Sequence, residues 1–150
     1  MYAVLHHPQY GCAEILRDAA RDLFEAYGSL LVTMELLGAL SKIDPAASRA
    51  VKDYFLLMPR VLDLTEEAIK LACLINEIVN VRYDSVHLAL MLLNQVETVI
   101  TNDVDDWRRA AEGIGDVKDR ARQEGFNVAF GGLHVVTPST YAAWKSEFGL

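Results

Sequence analysis

Short apolar runs alternate with longer amphipathic stretches along this chain, and that alternation restricts the folds it can adopt. The runs fit buried strands, and they lie at residues 2–5, 29–33, 60–64, 98–101 and 133–136. The connections between them are too long for hairpins, so neighbouring strands should pair in parallel with helices as crossovers. Strands that are apolar on both sides are typical of a sheet covered on both faces. The sequence therefore predicts an α/β fold, a three-layer α/β/α arrangement with a mainly parallel central sheet of about four to five strands.

Helical spacing and capping residues occupy the stretches between these runs. Thr65 is a good N-cap for a helix whose first turn carries Glu66 and Glu67, where the helix dipole favours acids. Asp44 and Pro45 mark another helix start, as a cap followed by a proline. The predicted helices span residues 12–26, which Gly28 ends, 34–41, which Thr33 caps, 45–57, 66–79, 84–94, a stretch from Asp103 or Asp105 to Gly113 or Gly115, 116–124 and 138–145.

The composition excludes several classes of protein. At 150 residues, of which 52% are apolar, we expect a single domain over residues 1–150 with a sizeable core. No apolar run reaches the roughly 18 residues that a membrane helix needs, and the first residues do not resemble a signal peptide. Cys12 and Cys73 form no CxxC pattern, so we expect reduced, buried thiols in a cytoplasmic protein. The net charge of −7 argues against broad binding to polyanions but allows a local basic face.

Carboxylates stand where the predicted strands end, which is where α/β proteins form their sites. Asp84 opens the helix that leads into the run 98–101, and Asp103 follows that run. Glu35 follows the second run, and the hydroxyl of Thr101 is placed to orient a metal ligand or a substrate phosphate. Such a cluster of acids repels itself unless a cation occupies it. Oxygen ligands without cysteine or paired histidine suit Mg²⁺ or Mn²⁺.

Each of these acids also has a simpler interpretation. Asp84 and Asp103 are placed to cap helices, and capping accounts for them about as well as metal binding does. Asp105 and Asp106 fall in a first helical turn, where surface acids are favoured by the helix dipole. Glu35 taken alone fits a solvated helix surface. Position in the sequence therefore leaves both interpretations open.

The same segments resemble a known family. DSVHLA at 84–89 and VITND at 99–103, followed by Trp107, resemble the carboxyl half of a PIN domain. LHVVTP at 133–138 resembles the family's last strand and the start of its last helix, and LVTMEL at 31–36 resembles another of its blocks. The resemblance covers nearly the whole chain. PIN domains are metal-dependent ribonucleases, many of them toxins of toxin–antitoxin modules.

The resemblance implies a ribonuclease that uses Mg²⁺ or Mn²⁺. It implies four metal-binding acids, of which the last is the more variable in the family: Glu35, Asp84, Asp103 and Asp106. Asp105 is the alternative for that fourth acid. Thr101 matches the family's polar residue two positions before an acid and joins the expected catalytic residues. The expected partners are RNA, single-stranded or structured, and an antitoxin-like protein.

One feature of the family has no match in this sequence. PIN domains carry an aspartate at the end of their first strand, and residues 2–8 resemble the stretch that comes after that aspartate. The motif would lie before Met1 or be lacking, with a shortened first strand, so we expect weak or absent nuclease activity from residues 1–150. The alternative is an inactive PIN-like module that binds RNA or an antitoxin-like protein. Apolar side chains on two predicted helices would suit such a partner or a homodimer: Met34, Leu36, Leu37, Leu40, Val51, Tyr54, Phe55 and Met58. A phosphatase is less favoured, because no glycine-rich loop follows the first strand.

Overall fold

The computed structural model describes residues 12–39 and 45–150. These residues form helices and strands that we number along the chain: α1 (Cys12–Ala19), β1 (Tyr27–Ser29), α2 (Leu30–Ala39), α3 (Pro45–Leu57), β2 (Arg60–Leu62), α4 (Glu66–Val79), α5 (Asp84–Asn94), β3 (Thr98–Ile100), α6 (Val104–Gln123), β4 (His134–Val136) and α7 (Tyr141–Glu147). They fall into two compact units. The first lies within Met1–Asp63 and Pro138–Leu150, and the second is Leu64–Thr137. A single domain over the whole chain stays a prediction.

A tyrosine fixes the sheet of the first unit to a helix. β1 and β2 pair in parallel, with Ser29 opposite Leu62. The hydroxyl of Tyr54 on α3 accepts a hydrogen bond from the Ser29 N–H at 2.6 Å and donates one to the Ser29 carbonyl at 3.1 Å. Leu36 of α2 is fully buried in the same cluster. The last residue of β1 is therefore held by α3 as well as by β2.

A buried carboxylate joins α1 to α7 in the same unit. Asp18 is 5% exposed and accepts hydrogen bonds from the Lys145 ammonium at 2.7 Å and the Tyr141 hydroxyl at 2.9 Å. These two bonds lower the pKa of Asp18, and the bond to Asp18 raises the pKa of Lys145. Burial and the same carboxylate raise the pKa of Tyr141. All three groups therefore keep their paired protonation states at neutral pH. α7 begins at Tyr141, later than the predicted start at Pro138.

The second unit is built on one apolar core that α4, α5 and α6 share. Leu71 and Ile75 of α4, Leu88 and Leu92 of α5, and Val117 of α6 are all 0% exposed. β3 and β4 pair in parallel beside these helices. Burying a side chain of this size contributes about 1.5–3 kcal/mol, so the three helices hold one another in place.

The mixed α/β class and the parallel pairing of strands are confirmed. Within residues 12–39 and 45–150 each sheet has two strands, so a central sheet of about four to five strands stays a prediction. The predicted strand at 2–5 lies outside the described residues. Thr65 caps α4 as predicted, with its side chain accepting a hydrogen bond from the Ala68 N–H at 3.1 Å. The predicted bounds of α3, α4 and α5 are also confirmed.

Three predictions for the first unit are wrong. The helix that begins at residue 12 ends at Ala19, because the chain turns at Asp22, whose φ is 57°. The run 29–33 is not a strand, since β1 ends at Ser29 and α2 begins at Leu30. Thr33 consequently lies inside α2. Its hydroxyl donates to the Leu30 carbonyl at 2.6 Å instead of capping the helix.

Two glycines that were predicted to end helices serve close packing instead. Gly28 lies in β1, where an added Cβ would overlap the ring and hydroxyl of Tyr54. Gly113 lies inside α6, where an added Cβ would overlap Cγ1 of Val79 on α4. The predicted break near Gly113 or Gly115 is therefore wrong, and α6 is one helix of 20 residues.

Replacing Gly113 and Gly115 with alanine should change the free energy of unfolding in opposite directions. Gly115→Ala should raise it by about 0.5–1 kcal/mol, because alanine is the better helix former and no atom lies near the new methyl group. Gly113→Ala should lower it by about 1–3 kcal/mol, because the methyl group would push α6 away from Val79. Urea unfolding followed by circular dichroism measures both changes. Equal stabilisation by the two substitutions would contradict the close approach of α4 and α6.

The stability of the first unit should depend on pH through Asp18. Because its pKa is lower in the folded protein, its contribution is complete above the unfolded value of about 3.9 and is lost as pH falls through the folded pKa. Asp18→Asn should lower the free energy of unfolding near pH 7 and flatten its decline below about pH 4. The control Asp63→Asn alters an exposed acid of the same unit. It should leave unchanged both the free energy of unfolding near pH 7 and its decline below about pH 4. Urea unfolding across this pH range is the measurement, and parallel profiles for wild type and Asp18→Asn would argue against the ion pair.

Candidate metal centre

A tight turn between α4 and α5 fixes the position of Asp84. Asn80 and Arg82 both have left-handed backbone conformations, with φ of 46° and 50°. The Asn76 Nδ2 group donates to the Arg82 carbonyl at 3.1 Å and to Ser85 Oγ at 3.0 Å, and Ser85 Oγ donates to the same carbonyl at 2.5 Å. Ser85 is 1% exposed. Asp84 therefore starts α5 from a turn whose polar groups are held by α4.

The end of β3 fixes Asp103. The Thr101 N–H donates to the Val136 carbonyl at 2.9 Å, which continues the pairing with β4 one residue past the strand. The Thr101 Oγ1 atom then accepts a hydrogen bond from the Asp103 N–H at 3.1 Å. Asp103 occupies the N-cap position of α6, but its carboxylate makes no capping hydrogen bond. Capping alone therefore does not account for this carboxylate.

Asp106 lies in the first turn of α6, next to a buried anchor. Trp107 is 3% exposed and belongs to the apolar core of the second unit. Asp106 is partly buried and forms an ion pair with Arg109, one turn further along the helix. Because the ring of Trp107 is buried, the rotation of α6 about its axis is fixed, and the Asp106 carboxylate lies near that of Asp103.

These elements bring three carboxylates together. One carboxylate oxygen each from Asp84, Asp103 and Asp106 lies within 4.8 Å of the others. All three were predicted to lie at one site, and Asp106 was preferred to Asp105 as the more variable acid. Asp105 is exposed and is not a member of this cluster. Their role as metal ligands stays a prediction.

The remaining predicted acid, Glu35, lies on α2 in the first unit and is partly buried. Its role as a metal ligand also stays a prediction. Sequence reasoning missed Arg109 and Asn76 as parts of the site. The spacing of Arg109, three residues after Asp106, is a signal that could have identified the first. Asn76 acts through a turn, and nothing in its sequence context indicates that.

The cluster has partial compensation for its negative charge. The N-termini of α5 and α6 carry partial positive charge, which favours carboxylates in the first turn. The guanidinium of Arg109 neutralises part of the charge on Asp106, although its side chain is 54% exposed and the pair is screened by water. The three acids can therefore coexist in the protein alone, and a cation would add to this compensation.

Comparison with other proteins gives no identification. No family model, curated protein sequence or solved structure matches this chain. Within residues 12–39 and 45–150, no helix combines the length and the hydropathy needed to cross a membrane.

The donor set fits a small divalent cation. Mg²⁺ binds oxygen at about 2.0–2.1 Å, so ligands on opposite sides of the ion lie about 4.2 Å apart. At most one pair of three ligands can be opposite, and adjacent ligands of an octahedral ion lie about 2.9 Å apart, so oxygens up to 4.8 Å apart would have to approach one another by up to about 2 Å, which rotation of the side chains can supply. Carboxylate oxygens also suit Mn²⁺, and the absence of sulphur or imidazole from the cluster disfavours zinc.

Asp103→Asn and Asp105→Asn should affect the metal-free protein differently. Both substitutions remove a charge that the α6 N-terminus favours, but only Asp103 faces two other carboxylates. Asp103→Asn should therefore give a free energy of unfolding about 1 kcal/mol higher than Asp105→Asn, from relief of repulsion at under 5 Å in water. Urea unfolding in EDTA measures the difference. A value for Asp103→Asn at or below that of Asp105→Asn would show that the carboxylates do not meet in solution.

Proposed function

We propose that this chain is a PIN-like, Mg²⁺- or Mn²⁺-dependent ribonuclease that hydrolyses phosphodiester bonds of RNA. The observation that carries the proposal is the convergence of Asp84, Asp103 and Asp106 within 4.8 Å, at the starts of the two helices that come before and after β3. The fold proposed with this function is the three-layer α/β/α arrangement with a mainly parallel sheet of about four to five strands. Glu35 is proposed as a further acid of the same site.

In this proposal each residue has a distinct task. Asp84, Asp103 and Asp106 hold the cation, which when bound supplies a water of lowered pKa and offsets the charge that develops on the phosphate. Thr101 holds the turn through its bond to the Asp103 N–H and keeps its own O–H available for a phosphate oxygen. Arg109 pairs with Asp106 in the metal-free protein and offers a guanidinium to RNA.

The acidic net charge of −7 is compatible with RNA binding at this site. Cationic side chains lie within two or three residues of the clustered acids, at Arg82, Arg108 and Arg109. All three are exposed. A local basic face needs only a few such groups to contact phosphates, while the rest of the surface stays acidic and discourages binding along long polyanions.

Metal binding and RNA cleavage should depend on the clustered acids and not on their neighbour. In calorimetric titration with Mn²⁺, Asp84→Asn and Asp103→Asn should each weaken binding at least about tenfold, because each removes a charged ligand. Asp105→Asn, which changes the same charge outside the cluster, should leave the affinity within about twofold. Cleavage of single-stranded RNA should require Mn²⁺ or Mg²⁺ and stop when EDTA removes the ion.

Cleavage should be measured with residues 1–150 and with a version extended by the residues encoded upstream. We expect weak or no cleavage from residues 1–150 and stronger cleavage if the extension supplies the first-strand aspartate of the family. If the extended version is inactive and Asp84→Asn and Asp103→Asn bind Mn²⁺ as wild type does, the ribonuclease proposal should be abandoned.

The second candidate is an inactive PIN-like module that binds RNA, an antitoxin-like protein or a second copy of itself. Exposed apolar side chains on α2 and α3 favour it: Met34 is 63% exposed, Leu37 54%, Phe55 47% and Leu56 84%. Met34, Leu37 and Phe55 were predicted for this surface and Leu56 was not. Of the other predicted residues, Leu36 and Tyr54 are buried, which corrects the prediction for them, and Leu40 lies outside the described residues. Failure of the wild-type protein to bind Mn²⁺ would favour this candidate over the nuclease.

A further inference from the structure

A surface pocket of about 350 Å³ lies between α4 and α5 of the second unit. Its wall is mainly apolar, with Ile69 and Ala72 from α4 and Val86 from α5. The volume falls within the range of about 300–1,000 Å³ that is usual for small-molecule sites. The acids of the proposed metal site do not line this pocket, so it is a separate candidate binding site.

The rim of the pocket carries an aromatic ring and a cation. Tyr83 is 78% exposed, which is unusual for a ring of this size at the start of a helix. Arg82 is exposed, and among the described residues its guanidinium forms no ion pair or hydrogen bond. Its backbone has a φ of 50°, a conformation that proteins seldom give to arginine without a reason. An exposed ring beside an unpaired cation is how proteins bind the base and the phosphate of single-stranded nucleic acid.

A polar side chain on the same wall lacks a donor. Asn76 lines the pocket, and its Oδ1 atom is buried without a hydrogen bond from any described residue. Its Nδ2 group donates to the backbone carbonyl of Arg82 and to Ser85 Oγ. A flip of the amide that exchanged Nδ2 and Oδ1 would lose these donated hydrogen bonds. A ligand that brings an N–H group to this oxygen would satisfy it, and the edges of nucleobases carry such groups.

The pocket and the acid cluster are neighbours in the sequence at the start of α5. Tyr83 and Ser85 line the pocket, and Asp84 between them belongs to the cluster. Consecutive Cα atoms are about 3.8 Å apart, so a nucleotide with its base in the pocket is long enough to bring its phosphate to Asp84.

We propose that the pocket between α4 and α5 binds one nucleobase of single-stranded RNA next to the phosphate that is cleaved. The base stacks on Tyr83, an N–H of the base meets Asn76 Oδ1, and Arg82 contacts a phosphate oxygen. The choice of RNA as the ligand rests on the proposed function. The binding itself requires no metal and no cleavage, so the two can be tested apart.

Cys73 is exposed, contrary to the predicted buried thiol, and it lines the pocket, so its reactivity reports on whether the pocket is occupied. The rate of Cys73 alkylation by N-ethylmaleimide is measured by mass spectrometry, in EDTA, with and without hexamers of uridylate, adenylate and cytidylate. Bound RNA should slow alkylation of Cys73 by about tenfold at saturation, because only an accessible thiolate reacts. Cys12, on α1, should react at an unchanged rate and controls for direct effects of RNA on the reagent.

Matched substitutions separate the contacts. Tyr83→Ala should abolish the protection, and Tyr83→Phe should keep it, because stacking needs the ring and not the hydroxyl. Arg82→Gln should weaken protection by the hexamers and make that protection less sensitive to salt. Unchanged melting temperatures would confirm that these exposed positions leave the fold intact.

The proposal is overturned if none of the hexamers protects Cys73, or if Tyr83→Ala is protected as well as wild type. If RNA protects Cys73 but is not cleaved in Mn²⁺, base binding in the pocket is supported and the ribonuclease proposal is contradicted. If RNA is cleaved in a metal-dependent way but does not protect Cys73, the ribonuclease proposal is supported and base binding in the pocket is contradicted.

Discussion

The packing of α4 against α5 is the interaction on which the second unit depends. Leu71 and Ile75 meet Leu88 and Leu92 in a core from which water is excluded. That packing is tight enough to tolerate a turn with two residues of left-handed backbone conformation between the helices. The Asn76 amide completes the turn by bonding to groups on the far side of it. The apolar core between α4 and α5 thereby determines the position of the Asp84 carboxylate through the turn that joins the two helices.

The same logic places the other two acids. β3 pairs with β4 up to Thr101, and the chain then enters α6, whose first turn is anchored by buried Trp107. Asp103 and Asp106 both come just before that anchor, and their carboxylates lie close together. Helix starts tolerate negative charge better than other parts of the backbone do. Two such starts side by side can therefore hold a density of carboxylates that a sheet face or a helix middle would not.

Local rules account for the features that the sequence predicted well. Thr65 marks a helix start because its side chain caps the backbone of the helix that follows it, and the acids at 84, 103 and 106 could be grouped because each lies at or near an element boundary. The wrong predictions concern features that are determined by residues distant in the sequence. A glycine that ends a helix and a glycine that lies under a side chain from elsewhere look alike in sequence, and Gly28 and Gly113 are of the second kind. Nothing near Asn76 indicates that it holds a turn, and the role of Glu35 depends on tertiary structure in the same way.

The hydrogen bonds of Asp18 bear on the order in which the chain folds as it is synthesised. Its two donors lie 123 and 127 residues later in the chain, whereas the second unit is the uninterrupted stretch Leu64–Thr137. A ribosome completes that stretch before it reaches Tyr141 and Lys145, so the later unit in the sequence can be the earlier one to fold. Until Tyr141 and Lys145 are synthesised, Asp18 has neither of these donors. The docking of α1 against α7 can therefore occur only after the whole of the second unit has been made.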